Sequence, residues 1–279
     1  LSAGTAIEVD LEARDFDAAH GAHTAKPGTR KQRGSDADIQ RRYSVEDLVA
    51  LGFRHIPWDG LTPYPLIDPL GRVIGVLAGT PGSGYAEDLL RASDLILQEG
   101  KQAGLGAAAP NPHLRSSFPA YNCGITMGMG SPCPVALNPK ALTVVLARLV
   151  GHETVLQMAM YQNRAFSIWA PRVYAVYEAT QTRMYEELPT LSRNFPGSVF
   201  SAAAFNFGGN VWTYKHRDHL NWPFGWCAIT ALGRFDPARS AQLILWELKL
   251  VIDFPHAATI LIPSAVITHS NTPVAEGDI

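Results

Sequence analysis

Two imidazoles and a carboxylate are the groups in this chain with clear potential for chemistry. His216 and Asp218 stand two apart in Tyr214-Lys215-His216-Arg217-Asp218-His219-Leu220-Asn221, just ahead of the apolar stretch Gly225–Leu232. Residues i and i+2 of a strand share a face, so both side chains reach one point if the segment is extended. A third ligand must then come from a strand that is a neighbour in space and later in sequence. His269 ends the apolar stretch that begins at Ile260 and meets that demand. Two imidazoles and one carboxylate occupy one face of a divalent ion and leave the other open. That is the ligand set of non-haem Fe(II) oxygenases, although Zn(II), Mn(II) or Co(II) would also bind.

Alone, His-x-Asp means little. The chain has 9 His and 25 acidic residues, so about one such match arises by chance. The weight rests on the strand context and on His269, which together favour a ligand over a core histidine bonded to backbone. His219 would point away from Asp218 if the strand continued. His20, His23, His55, His113, His152 and His256 lack partner spacing and read as surface or packing residues. His216-Arg217-Asp218 also matches the opening of a protein-kinase catalytic loop, but that loop needs Asn five residues after the Asp. Here Asn221 comes too early, and no Gly-rich phosphate loop accompanies it. Kinase chemistry is rejected.

The elements that would position these groups follow from composition and periodicity. A chain of 279 residues that is 47% hydrophobic can build one large core or two small ones. A formal charge of −2 sets up no global field toward nucleic acid, so any DNA contact needs a local basic patch. Cys123, Cys133 and Cys227 contain no C-x-x-C and are odd in number, which argues against a disulfide framework or a structural zinc site. An intracellular, reducing compartment is expected. No apolar run approaches the roughly 20 residues of a membrane helix.

Residues 1–43 are polar, with Lys26, Arg30, Lys31, Arg33, Arg41 and Arg42 as a basic run, and read as a flexible arm. Ser44 and Asp47 look like a helix cap. Extended pieces at 65–68 and 73–78 flank an Asp68-Pro69-Leu70-Gly71 turn and predict a hairpin. Helical spacing appears at about 85–100, 140–163 and 171–187, with a Gly/Pro-rich loop over about 103–139. From Ser198 the pattern turns to β at 198–206, 211–215, 225–232, 242–252 and 257–269. Helices first and strands afterwards predict an α+β fold, in which helices pack on one face of a β-sandwich or jelly roll. One domain over 44–279 is expected, helical at about 85–190 and β from about 198.

Several blocks resemble the fungal TET/JBP-like oxygenases, a group expanded in mushroom-forming fungi near transposons. They are Phe195–Phe200, Phe205–Gly208, Tyr214–Asn221, Pro223–Leu232 and Ile260–Pro273, with Leu66–Ile74 and Arg172–Tyr174 earlier in the chain. The His216-Arg217-Asp218-x-x-Asn221 cluster is the most specific part. The resemblance implies a double-stranded β-helix, dependence on Fe(II) and 2-oxoglutarate, and stepwise oxidation of 5-methylcytosine in DNA within the nucleus. It also implies His216, Asp218 and His269 as iron ligands and catalytic residues, and Asn221 as a hydrogen-bond partner of the target base. Ser240-Ala241-Gln242 stands where related sequences carry Gly-Gly-His, so Gln242 takes the place of a histidine that helps hold 2-oxoglutarate. By the same resemblance, the arginine that pairs with the distal carboxylate of 2-oxoglutarate and the final strand of the β-helix lie past Ile279.

DNA, 2-oxoglutarate and O2 are therefore the expected partners, with no membrane role. Two other readings stay open: an inactive relic or binding module of the same fold, and a 2-oxoglutarate hydroxylase acting on protein or a small molecule.

Overall fold

The computed structural model describes residues 3–18, 26–27, 40–82, 84–105, 118–128, 131–137 and 140–279. The chain divides into two compact units. One gathers Leu1–Ala86, Ala109–Ser117 and Asn210–Ile279; the other gathers Glu87–Ala108 and Phe118–Gly209.

The first unit starts with β1 (Ile7–Glu8), β2 (Asp17–Ala18) and β3 (Lys26–Pro27), the last two paired in parallel. Helix α1 (Val45–Ala50) begins as expected: the Ser44 hydroxyl accepts from the Asp47 N–H, and the Asp47 carboxylate accepts from the Ser44 N–H. Strands β4 (Arg54–Ile56), β5 (Tyr64–Ile67) and β6 (Val73–Gly79) follow. The β5–β6 pair is the predicted hairpin. Its turn is held by Asp68, whose carboxylate accepts from the Leu70 and Arg72 N–H groups at 3.0 and 2.9 Å and from Arg72 Nε at 2.8 Å.

Residues 3–18 differ from the flexible arm expected for the N-terminal segment. β1 runs parallel to β5, and Ile7, Val9 and Phe16 are buried in the same core as the hairpin. Ile7 and Val9, two residues apart, place two apolar side chains on one face of the sheet. Arg41 and Arg42 lie over the rings of Tyr43 and Trp212, at 5.0 and 4.7 Å. Arg30, Lys31 and Arg33 of the basic run lie outside the described residues.

The second unit holds α2 (Tyr85–Gln102, its first two residues in the first unit), β7 (Ala120–Gly128), β8 (Ser131–Leu137), α3 (Thr143–Gly151), α4 (Glu153–Trp169), α5 (Pro171–Glu187) and β9 (Ala202–Asn206). Two expectations are corrected here. The Gly/Pro-rich stretch is not all loop: β7 is the middle strand of a three-stranded sheet between β8 and β9. Gly124 sits inside β7 with φ +109°, where any side chain would collide with the Ser201 carbonyl. The glycine is there for close backbone approach, which from sequence alone resembles a turn. The helix expected over 140–163 is broken at His152, whose φ/ψ of −76°/136° is extended and whose Nδ1 accepts from the Thr154 N–H at 3.4 Å. His152 caps α4 at its N-terminus.

The remaining strands return to the first unit: β10 (Cys227–Thr230), β11 (Leu243–Leu245), β12 (Leu250–Ile252), β13 (Thr259–Ile262) and β14 (His269–Asn271). They complete a five-stranded sheet, β1-β5-β6-β13-β10, and a four-stranded sheet, β14-β11-β12-β4. One apolar core takes Leu66, Leu77, Ile260 and Ile262 from the first sheet and Leu245, Leu250 and Ile252 from the second. Fully burying such a side chain stabilises the fold by about 1.5–3 kcal/mol. The fold is mixed α+β with several open sheets, and no closed barrel forms among the described residues. No described helix is long and apolar enough to cross a membrane.

Candidate metal centre

Backbone pairing brings the site together. Residues 211–215 form no regular strand, but His216 and His269 make an isolated antiparallel bridge. The His216 N–H donates to the His269 carbonyl at 3.1 Å, and the His269 N–H donates back at 2.9 Å. Directly paired residues of an antiparallel ladder project to the same side, so both imidazoles stand together, ring centroids 4.3 Å apart. β14 in turn pairs with β11, setting fully buried Leu245 opposite His269. The side of this sheet that carries the His269 imidazole is thus continuous with the apolar core.

Asp218 is placed by the next hydrogen bond, from its N–H to the Ser264 carbonyl at 3.0 Å. Its Oδ1 lies 3.7 Å from His216 Nε2 and its Oδ2 lies 3.8 Å from His269 Nε2. These separations are too long for hydrogen bonds. The three ligand atoms all lie within 4.8 Å of one another. Donors each about 2.1 Å from a common ion stand about 3–3.5 Å apart, so small side-chain rotations close the set around one ion.

The imidazole tautomers favour the same chemistry. His216 Nδ1 lies 2.8 Å from the Tyr214 carbonyl and His269 Nδ1 lies 3.0 Å from the Ile267 carbonyl. A carbonyl only accepts, so each Nδ1 carries a proton, and Nε2, on the side of Asp218, is the ring nitrogen left to bind an ion. Backbone carbonyls commonly orient metal-bound histidines in this way. The donor set of two neutral imidazoles and one carboxylate fits Fe(II) and other divalent first-row ions.

The remaining sequence candidates fall nearby or elsewhere. Asn221 is exposed; its N–H donates to the Asp218 carbonyl at 2.8 Å and its Nδ2 to Ser264 Oγ at 3.0 Å. Ser264 therefore anchors both Asp218 and Asn221, a role that only the fold reveals. Gln242 is 2% exposed and its side-chain oxygen accepts from the Thr272 hydroxyl. It precedes Leu243 and pairs across to Thr272, so strand alternation turns its side chain away from the His269 side. His219 is exposed and outside the three-residue group. His55 pairs with Asp253 at 2.7 Å, and His256 accepts from the Gly233 N–H.

No family model matches the chain, and no curated protein matches it. Among solved structures it is similar to NgTET1 in complex with 5mC DNA, at 12% identity and a TM-score of 0.48, over 80% of this chain and 76% of that one.

Proposed function

We propose that the chain binds Fe(II) through His216, Asp218 and His269 and, with 2-oxoglutarate and O2, oxidises methylated bases in DNA, 5-methylcytosine foremost. The observation that carries the metal assignment is that the ligand atoms of His216, Asp218 and His269 lie within 4.8 Å of one another, with each Nδ1 held by a backbone carbonyl so that Nε2 is the nitrogen available to an ion. When bound, iron with 2-oxoglutarate and oxygen supplies C–H oxidation coupled to release of succinate and carbon dioxide. The protein's contribution is geometry. His216 and His269 keep fixed tautomers, Asp218 adds the anionic donor, and the buried apolar side chains beside His269 keep bulk water from that flank.

The DNA substrate is supported by the resemblance carried by His216-Arg217-Asp218-x-x-Asn221. A duplex base cannot reach a metal while stacked, so it must be flipped out. Asn221 is tethered three residues past Asp218, with its amide nitrogen on Ser264. Its amide oxygen is the group to accept from the exocyclic amine of a cytosine. Gln242 would then act on the 2-oxoglutarate site indirectly, by holding the end of β14 through Thr272. Work on DNA would place the protein in the nucleus.

The test is succinate release with Fe(II) and 2-oxoglutarate at stated salt, using methylated duplex, unmethylated duplex and no DNA. Turnover that requires the methylated duplex supports the proposal. Equal turnover without DNA points to a hydroxylase of another substrate, and no turnover despite bound iron points to a binding module.

A further inference from the structure

Beside His216, Asp218 and His269, among the residues next to them in sequence, lies a second group that no motif suggested. Glu247 sits in the turn between β11 and β12. Its Oε1 accepts from Arg217 Nη2 at 2.6 Å and from the Thr268 hydroxyl at 2.5 Å; its Oε2 accepts from the Thr268 N–H at 2.7 Å. Arg217 Nε also donates to Thr268 Oγ1 at 2.9 Å. Arg217 is the residue between His216 and Asp218, and Thr268 immediately precedes His269. Arg217 and Thr268 therefore turn away from the metal where their neighbours turn toward it.

We infer that Glu247 is a positioning residue of the metal centre, its carboxylate pinning the two ligand-bearing segments to each other through Arg217 and Thr268. The inference rests on the metal reading above and extends it to residues outside the ligand set. The chemistry explains why an acid is needed. Its two oxygens collect three donors, and charge-assisted bonds of this kind are short and stronger than neutral ones. The guanidinium stays charged whatever its surroundings. Without Glu247, Asp218 is an alternative anion adjacent in sequence to Arg217, and pairing there would draw the carboxylate ligand away from the ion. Glu247 thus fixes the distance between the ligand segments and also keeps Arg217 engaged elsewhere.

The experiment is anaerobic titration of the full chain with Co(II), which substitutes for Fe(II) and reports its ligand field by visible absorption. Partners that orient ligands cost about 10–100-fold in metal affinity when removed. Glu247→Ala should weaken Co(II) binding by that factor and alter the band shape, while Glu247→Gln, which keeps an acceptor for Thr268, should recover part of both. Thr268→Val removes the hydroxyl but keeps the N–H, and should shift affinity in the same direction by less. It decides the matter if Glu247→Ala does not fold. Phe166→Ala, a core truncation in the second unit, is the control for general destabilisation and should leave affinity and spectrum unchanged. Wild-type affinity and spectrum in Glu247→Ala, or in Thr268→Val where the alanine variant is unfolded, would overturn the inference while leaving the metal site standing. A wild-type chain that binds no Co(II) would overturn the metal reading, and this one with it.

Discussion

His216 and His269 exchange both of their backbone hydrogen bonds, at 3.1 and 2.9 Å, and their rings stand 4.3 Å apart on the same side of that pair. Two residues far apart in the chain are thereby joined through backbone before any ion arrives. A site preformed in this way would take up an ion without first ordering its ligands, and an ion bound there would stabilise only the folded state.

One expected outcome is thermal. An ion at about 100 times its Kd adds about 2.7 kcal/mol of stability. Fe(II) or Co(II) should therefore raise the melting temperature of the wild-type chain in a fluorescence scan, and a chelator should reverse the rise. Asp218→Ala should show no metal-dependent shift and no iron-dependent turnover.

Core packing should be coupled to the site. Leu245 is fully buried and directly opposite His269, so Leu245→Ala should cost about 2–5 kcal/mol in urea unfolding. The cavity loosens the strand that presents His269. Co(II) affinity measured on the same variant should fall, whereas truncation of Phe166, fully buried in the second unit, should change stability alone.

The hairpin turn carries a pH signature. Burial pushes the Asp68 carboxyl up, but the hydrogen bonds from Arg72 and from backbone N–H groups outweigh it and hold the group below its ordinary value of 3.8. A lowered folded-state value means stability that is present above about pH 4 and is lost as pH falls through the folded value. Asp68→Asn should be less stable than wild type at pH 7 by about 1–3 kcal/mol. The difference should shrink below about pH 4, as measured by chemical unfolding across pH.

Thiol reactivity gives a further check. Burial pushes the Cys123 thiol up to about 11, and the thiolate is the reactive form. At pH 8, alkylation followed by peptide mass spectrometry should label exposed Cys133 readily and Cys123 only after unfolding.

What could be read from sequence divides along a physical line. The β5–β6 hairpin, the Ser44 cap and α5 were legible because turn chemistry, capping and 3.6-residue periodicity act within a few residues. β7 was not, because Gly124 is required by a backbone contact with Ser201, far away in the chain. The break at His152 hid inside an apolar period that continues across it, and the burial of Ile7, Val9 and Phe16 depends on a pairing with β5. The site divides in the same way. His216 and Asp218 announce themselves by spacing and His269 by closing a strand-like run. Glu247 falls inside the 242–252 stretch that reads as a single strand, where the fold turns between β11 and β12, and Ser264 reads as a turn residue after Pro263. Both acquire roles only from the fold.

Whether His216, Asp218 and His269 share one ion is decided by a crystal of the protein grown with Co(II) and measured across the cobalt absorption edge. One strong anomalous peak per chain is expected, about 2.0–2.2 Å from Nε2 of His216, Nε2 of His269 and a carboxylate oxygen of Asp218. No peak at that point, or a peak held by other side chains with these three turned away from it, would contradict it.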